Sequence, residues 1–214
     1  MKYYILSRVI PYVFIIVIAS FLGFIVENVW VGIRYGYIDN RGMILPGLLG
    51  YGLAIIGVFY ILGTPNHPKF FGIDLFIEYR AAQFAYYIFA SAGLVSVGEI
   101  MLGTFVEKYC QIEWWNYSSL PLHINKYTSL FTSITFGLMI TIFMNSLFFS
   151  IMKWATHINT LFFQTVVMLL FILLIADFIH EAKYMIKNKR INRIWKIDIS
   201  TKGVFKKAYQ SSKC

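Results

Sequence analysis

Glu27 and Glu99 each interrupt a long apolar run; Arg41 follows the first in the chain, and Glu107 and the stretch Trp114-Trp115-Asn116-Tyr117 follow the second. An ionisable group inside a membrane-spanning helix costs at least about 2.5–3.5 kcal/mol, so it marks a functional site unless a partner explains it. Two carboxylates brought together at one membrane face suit acid–base work near neutral pH, or the binding of a cationic or zwitterionic headgroup. Arg41, just past the first apolar run, has the planar fork that grips a carboxylate in two places. Trp115 and Tyr117 suit an interface where one end of a ring is apolar and the other wet. The candidate substrate-binding set is therefore Glu27, Arg41, Glu99, Glu107, Trp115, Asn116, Tyr117 and Asn125, forming a small polar chamber near one face. A structural reading stands beside it. There, Glu27 and Arg41 are an ion pair that fixes helix packing, and Trp114 and Trp115 are part of an aromatic belt.

The elements that position these residues follow from composition. The chain has 214 residues, 58% of them hydrophobic and 14% charged, with mean hydropathy +0.65. A soluble domain is about 25% charged. This excludes a water-soluble globular enzyme, a disordered regulator and a nucleic-acid-binding module. A spanning helix needs roughly 20 mostly apolar residues. Five such runs are predicted, at about 12–33, 43–62, 82–102, 128–152 and 160–179. The fold class is all-α: a polytopic membrane protein with a five-helix transmembrane bundle over 1–180 and a basic tail over 181–214. Pro11 suits the first turn of the first helix, after a short interfacial lead-in. No cleavage site of the signal-peptide kind follows that helix, so it is expected to be retained.

Five spans put the loops after the first and third spans and the tail on one side. Fourteen of the 19 Lys and Arg residues lie on that side, ten of them in 181–214. Positive residues favour the cytoplasm, so the N-terminus is expected outside and the tail inside. The tail can also lie on anionic headgroups or recruit a partner.

Familiar catalytic patterns do not occur. There is no G-x-x-x-x-G-K-[ST] loop, no H-E-x-x-H and no G-x-S-x-G. The four histidines, His67, His123, His157 and His180, are scattered. No catalytic residue, metal or cofactor is assigned, and the lack of ATPase, protease and hydrolase motifs weighs against an enzyme without closing the question. Asn145 and Gln164 read as interhelical hydrogen-bonding groups, and Gly47, Gly50, Gly52 and Gly57 as a close-approach face. Asp177 and His180 read as residues that reach the headgroup zone. No internal repeat is strong enough for an inverted-repeat transporter.

Two blocks of residues carry a family resemblance. The first is Gly23-Phe-Ile-Val-Glu27, then Asn40-Arg-Gly42, Pro46 and Gly50-Tyr-Gly52. The second is Glu99, Glu107, Trp114-Trp-Asn-Tyr-Ser118 and Asn125. Over about Gly23 to Met144 the chain resembles the ABC-transporter permease family labelled type IV or CmpB-like, small multi-span proteins of bacterial cell membranes. It has Asn116 where that family typically has an acidic residue, Lys126 where Gly commonly follows the Asn, and Gly50 where Pro-Ile often precedes Tyr-Gly. The resemblance implies a permease subunit that works with a separate ATPase chain. Membrane lipid and a second copy of the chain are the other expected partners, and nucleic acid is not one. Three readings remain open: a transport subunit whose chamber contacts substrate, an integral-membrane enzyme or lipid-headgroup binder using Glu27 and Glu99, and a non-catalytic membrane scaffold.

Overall fold

A computed structural model describes residues 2–158 and 160–199, with side chains from Arg8 onward. The far end of the basic tail, 200–214, lies outside the described residues. The helices are α1 (Lys2–Tyr35), α2 (Leu49–Leu62), α3 (Arg80–Cys110), α4 (Leu130–Ile142), α5 (Phe148–His157) and α6 (Leu161–Asn188). A π-helical turn over Phe143–Leu147 joins α4 to α5, so these two run as one continuous helical segment. Ser129 starts α4 with a reciprocal capping box to Thr132, and the Thr160 side chain caps α6.

Four helical segments are long and apolar enough to cross a bilayer: Arg8–Tyr35, Arg80–Cys110, Leu130–His157 and Leu161–Asn188. The expectation of five spans is one too many on that measure. At 14 residues, α2 is about 21 Å long against a hydrocarbon core of about 30 Å. The predicted second span begins at Met43, but Met43 to Leu48 is not helical, because Pro46 and Gly47 interrupt it. Irregular backbone at membrane depth needs partners from the protein itself. Here Ile44 N–H and Leu45 N–H donate to the two carboxylate oxygens of Asp177 at 3.1 and 2.9 Å, and Leu48 N–H donates to Ser20 O at 2.9 Å. Asp177 is therefore buried and serves as a cap for this segment, not a residue reaching for headgroups. Asp177→Asn removes one of the two acceptor oxygens. It is expected to cost about 1–3 kcal/mol of stability, measured by denaturation in mixed micelles.

Two further boundaries differ from expectation. Helix α1 continues through Pro11 from Lys2, and Ile10 and Val13 on either side of it pack on Val167 of α6. Helix α6 continues past its expected end at Ile179 as far as Asn188.

The helices form two packing units. Helix α1 packs on α2, α5 and α6, whereas α3 packs chiefly on α4. In the first seam, Gly52 lets α2 approach the backbone of α1 at Ile16. In the second, Gly137 admits the backbone of α3 at Ile88, and Ser96 bonds Ser133 at 2.7 Å. Small residues with hydroxyl cross-links are how helices bind each other where lipid removes the hydrophobic drive. One apolar cluster, including Ile15, Ile55, Tyr87, Met144 and Phe148, joins the units at one end. Large apolar side chains such as Phe162, Leu169 and Ile172 face outward.

Short strands cover both ends of the bundle. Strand β1 (Tyr37–Asp39) pairs antiparallel with β5 (Lys196–Asp198), with Ile38 opposite Ile197. At the other end β2 (Gly63–Thr64), β3 (His67–Phe70) and β4 (Ile73–Asp74) form a small meander. The β1–β5 pair brings the loop after α1 to the segment after α6. Arg34 Nη2 joins the loop after α3 to the same end, donating to Asn116 O at 3.3 Å and Ser119 Oγ at 2.6 Å.

Candidate functional site

Glu27 owes its surroundings to Gly23, one turn earlier on α1. A Cβ at Gly23 would overlap the Tyr51 ring, so the missing side chain lets Tyr51 cross α1 and reach along it. The Tyr51 hydroxyl donates to Glu27 Oε1 at 2.5 Å. Arg41 Nη2 donates to Glu27 Oε2 at 3.3 Å, which completes a three-residue cluster.

Arg41 is held there by the loop. Its backbone is left-handed at φ 52°, and its N–H donates to Asp39 Oδ1 at 2.9 Å, a turn that Asp side chains stabilise. Asp39 also pairs with Arg41 Nη1 and Arg193 Nε, each at 3.5 Å, while its own N–H donates to Asn28 Oδ1. Asn40 stitches the loop to the chain beyond α6, donating to Asn192 O and accepting from Ile194 N–H. Asp39 and Asn40 are both almost fully buried.

Between the two packing units lies a cavity of about 1400 Å³, lined by α1, α2, α3, α4 and the end of α6 and covered at one end by the loops. Glu27, Arg41, Glu99, Trp115, Asn116 and Tyr117 all line it. The hydroxyls of Thr128 and Tyr117 lie beside the Glu99 carboxyl, whose Oε2 is buried with no hydrogen-bond partner. Tyr117 is buried edge-on to Trp30. Burial, reinforced by the carboxylates of Glu99 and Glu27, holds its phenol well above the ordinary range, so it is a neutral donor. Trp115 Nε1–H donates to Tyr127 O at 2.8 Å and fixes the loop after α3 over the opening. Asn116 closes that loop on itself, donating to Glu113 Oε2 and accepting from Ser118 N–H.

Residues 14–182 match the family described as "Putative ABC-transporter type IV". The chain belongs to this family. No curated protein and no solved structure matches it. The matched stretch holds every candidate residue of the cavity and most of the helical bundle.

Within this type IV chain, Glu107 and Asn125 stand apart from the cavity. Glu107 lies on another flank of α3, where Lys126 Nζ and the Tyr127 hydroxyl donate to its two oxygens. Those bonds hold the Lys126 ammonium above its usual range. Asn125 Oδ1 accepts the N–H groups of Tyr127 and Thr128 and shapes the turn that leads into α4. The two glutamates nonetheless have matching surroundings. Leu22-Gly23-Phe-Ile-Val26-Glu27 and Leu102-Gly103-Thr-Phe-Val106-Glu107 share four of six residues. In each, a tyrosine ring lies over the glycine, and that tyrosine and a cation following an asparagine bind the glutamate. Helices α1 and α3 end at the same face, so this repeat is parallel rather than inverted.

The sequence reading missed Arg34, Tyr51 and Asp39. In the sequence Arg34 is one more charge at the end of an apolar run. It ends α1, where a cation suits the helix dipole, and is ringed by Trp30, Tyr35 and Tyr117 at 5.8, 5.0 and 5.7 Å. Its Nη1 is buried with no hydrogen-bond partner. The signal for Tyr51 was present in the Gly50-Tyr-Gly52 block, since a tyrosine between glycines on a packed helix has room to reach across. Among the described residues, no group of three or more His, Cys, Asp or Glu side chains is arranged to hold a metal ion.

Proposed function

We propose that the chain is the membrane-spanning subunit of a transporter, that the cavity between its packing units is the chamber that meets substrate, and that a separate ATPase chain drives it. One observation carries this reading: a roomy, largely apolar cavity ends in a cluster of charged and aromatic side chains roofed by two loops. Sites for small molecules are built this way, with apolar walls and a few polar groups that fix orientation. Family membership favours transport over a purely structural role. The roofed end faces the cytoplasm in this proposal, because Arg34, Arg41, Lys108, Lys126 and the basic segment after α6 gather there.

The test begins with native mass spectrometry of the complex drawn gently from its own membrane. A stoichiometric ATPase chain is expected; its repeated absence would overturn the ATP-driven part. In the reconstituted complex, Glu27→Gln is expected to reduce ATP hydrolysis at least about tenfold while the amount of assembled protein stays unchanged. Unaltered hydrolysis would remove the Glu27 cluster from the mechanism.

A second reading, a headgroup binder that needs no ATPase, is favoured by the unpartnered oxygen of Glu99. Glu27 is a poor acid–base residue in either case, since both its oxygens are committed to Tyr51 and Arg41.

A further inference from the structure

Three residues lining the cavity each carry a buried polar atom with no hydrogen-bond partner, at Arg34 Nη1, Arg41 Nε and Glu99 Oε2; Arg41 is already paired with Glu27 and Asp39, which leaves Arg34 Nη1 and Glu99 Oε2. Arg34 is not free to turn elsewhere. Its other terminal nitrogen is bonded to Asn116 O and Ser119 Oγ, and its guanidinium lies over the rings of Trp30 and Tyr117. Glu99 has the hydroxyls of Thr128 and Tyr117 beside it, yet no Lys or Arg pairs with it among the described residues. A buried charge left short of partners is far more costly than a neutral group in the same position. Each atom states what it lacks. Nη1 needs an anionic acceptor and Oε2 needs an N–H donor carrying positive charge.

The rest of the cavity sets the shape of the molecule that could supply both. Its lining on α1 extends from Arg34 back to Ala19, a rise of about 22 Å at 1.5 Å per residue. One leaflet of a bilayer, acyl chains plus headgroup layer, is about 20–22 Å deep. The wall below the charged end is apolar, with Leu22, Leu94, Phe136 and Met139 among its residues. The geometry points to a zwitterionic amphiphile bound lengthwise, its phosphate or carboxylate on Arg34, its primary ammonium on Glu99 and its chain along the apolar wall. This rests on the chamber reading above and names the ligand class of that chamber. A primary ammonium is specified because a quaternary one has no N–H for Oε2. Two aromatic faces at the charged end, those of Trp30 and Tyr117, are already covered by Arg34.

The test uses the purified full-length protein in detergent. It compares lysophosphatidylethanolamine, lysophosphatidylcholine and lysophosphatidylglycerol of equal chain length with free phosphoethanolamine, by native mass spectrometry and tryptophan fluorescence. Lysophosphatidylethanolamine is expected to bind about tenfold tighter than the other two lysolipids, and phosphoethanolamine more weakly than all three. Glu99→Gln is expected to bring the ethanolamine lipid down to the level of the choline lipid, and Arg34→Gln to weaken all three lysolipids. Equal binding of the ethanolamine and choline lipids by the unaltered protein overturns the headgroup assignment, with no variant needed. Phosphoethanolamine binding as tightly as its lysolipid overturns the amphiphile. A preference that survives Glu99→Gln overturns the role of Glu99. Tight binding of lysophosphatidylglycerol alone sinks the zwitterion and leaves the chamber standing, whereas no binding of any lysolipid counts against both.

Discussion

Gly23→Ala should uncouple Tyr51 from Glu27 and be among the most destabilising single substitutions in the chain. The added Cβ would overlap the Tyr51 ring, and that ring is rigid and held between helices, so relief requires α2 to move or Tyr51 to leave its rotamer. Overpacking of this kind costs roughly 1–3 kcal/mol. The hydrogen bond to a charged partner at 2.5 Å goes with it, adding roughly 1.5–3 kcal/mol. A total loss of about 3–5 kcal/mol is expected in mixed-micelle denaturation. A double-mutant cycle isolates the cause. In a Tyr51→Ala background the clash and the bond are both already gone, so Gly23→Ala should then cost little, leaving a coupling of at least about 2 kcal/mol. Additive effects would mean that Gly23 acts through something other than Tyr51. Gly103 and Tyr127 provide a parallel case at the outer glutamate, and Gly103→Ala should be relieved by Tyr127→Ala in the same manner.

How much of this was legible beforehand differs from residue to residue, for physical reasons. Glu27 and Glu99 announced themselves, because a carboxylate in an apolar run has few bland explanations. The grouping of Glu99 and Glu107 with Glu27 followed from the parity of the spans. Parity, however, fixes which end of the membrane a residue lies near and says nothing of which side of its helix it occupies. Glu107 shows the difference. Eight residues from Glu99 at about 100° each put it some 80° round α3, whereas Val106, seven residues on, returns to the cavity wall. The eight-residue spacing, taken as helical geometry, separates Glu107 from Glu99.

Other features depended on contacts that no local pattern encodes. The length of the second span was overestimated because hydropathy counts apolar residues whatever their backbone. Met43 to Leu48 is apolar yet non-helical, and it is tolerated at that depth because Asp177, far along the chain, accepts its N–H groups. That same contact is why Asp177 is buried near the end of α6. Arg34 and Asp39 required the loops to fold back over the helix ends before their partners existed. The short parallel repeat around Glu27 and Glu107 was visible as letters, but its meaning lay in two tyrosines, Tyr51 and Tyr127, that lie outside the repeated segment.

Replacing Arg41 by Met should cost more stability than removing the charge it neutralises. Arg41 is 13% exposed in its side chain, Glu27 19% and Asp39 3%, so the three form a nearly dry network. Taking out the cation leaves two carboxylates close together, with Arg193 at 3.5 Å from Asp39 as the remaining ion-pair partner among the described residues. Breaking a buried pair from one side typically costs about 3–5 kcal/mol, because the survivor keeps its desolvation penalty without its partner. Glu27→Gln is milder: Arg41 retains Asp39, and the glutamine carbonyl still accepts a hydrogen bond from Tyr51 or from Arg41. The decisive comparison is the double variant Glu27→Gln/Arg41→Met, which should recover part of the stability lost by Arg41→Met alone. Arg41→Lys should fall between, since a lysine restores the charge but cannot serve Glu27 and Asp39 with separate nitrogens. If the double variant is no more stable than Arg41→Met, repulsion involving Glu27 is not what the arginine relieves. Its role would then reduce to the turn held by Asp39, where its own N–H donates and its φ is positive.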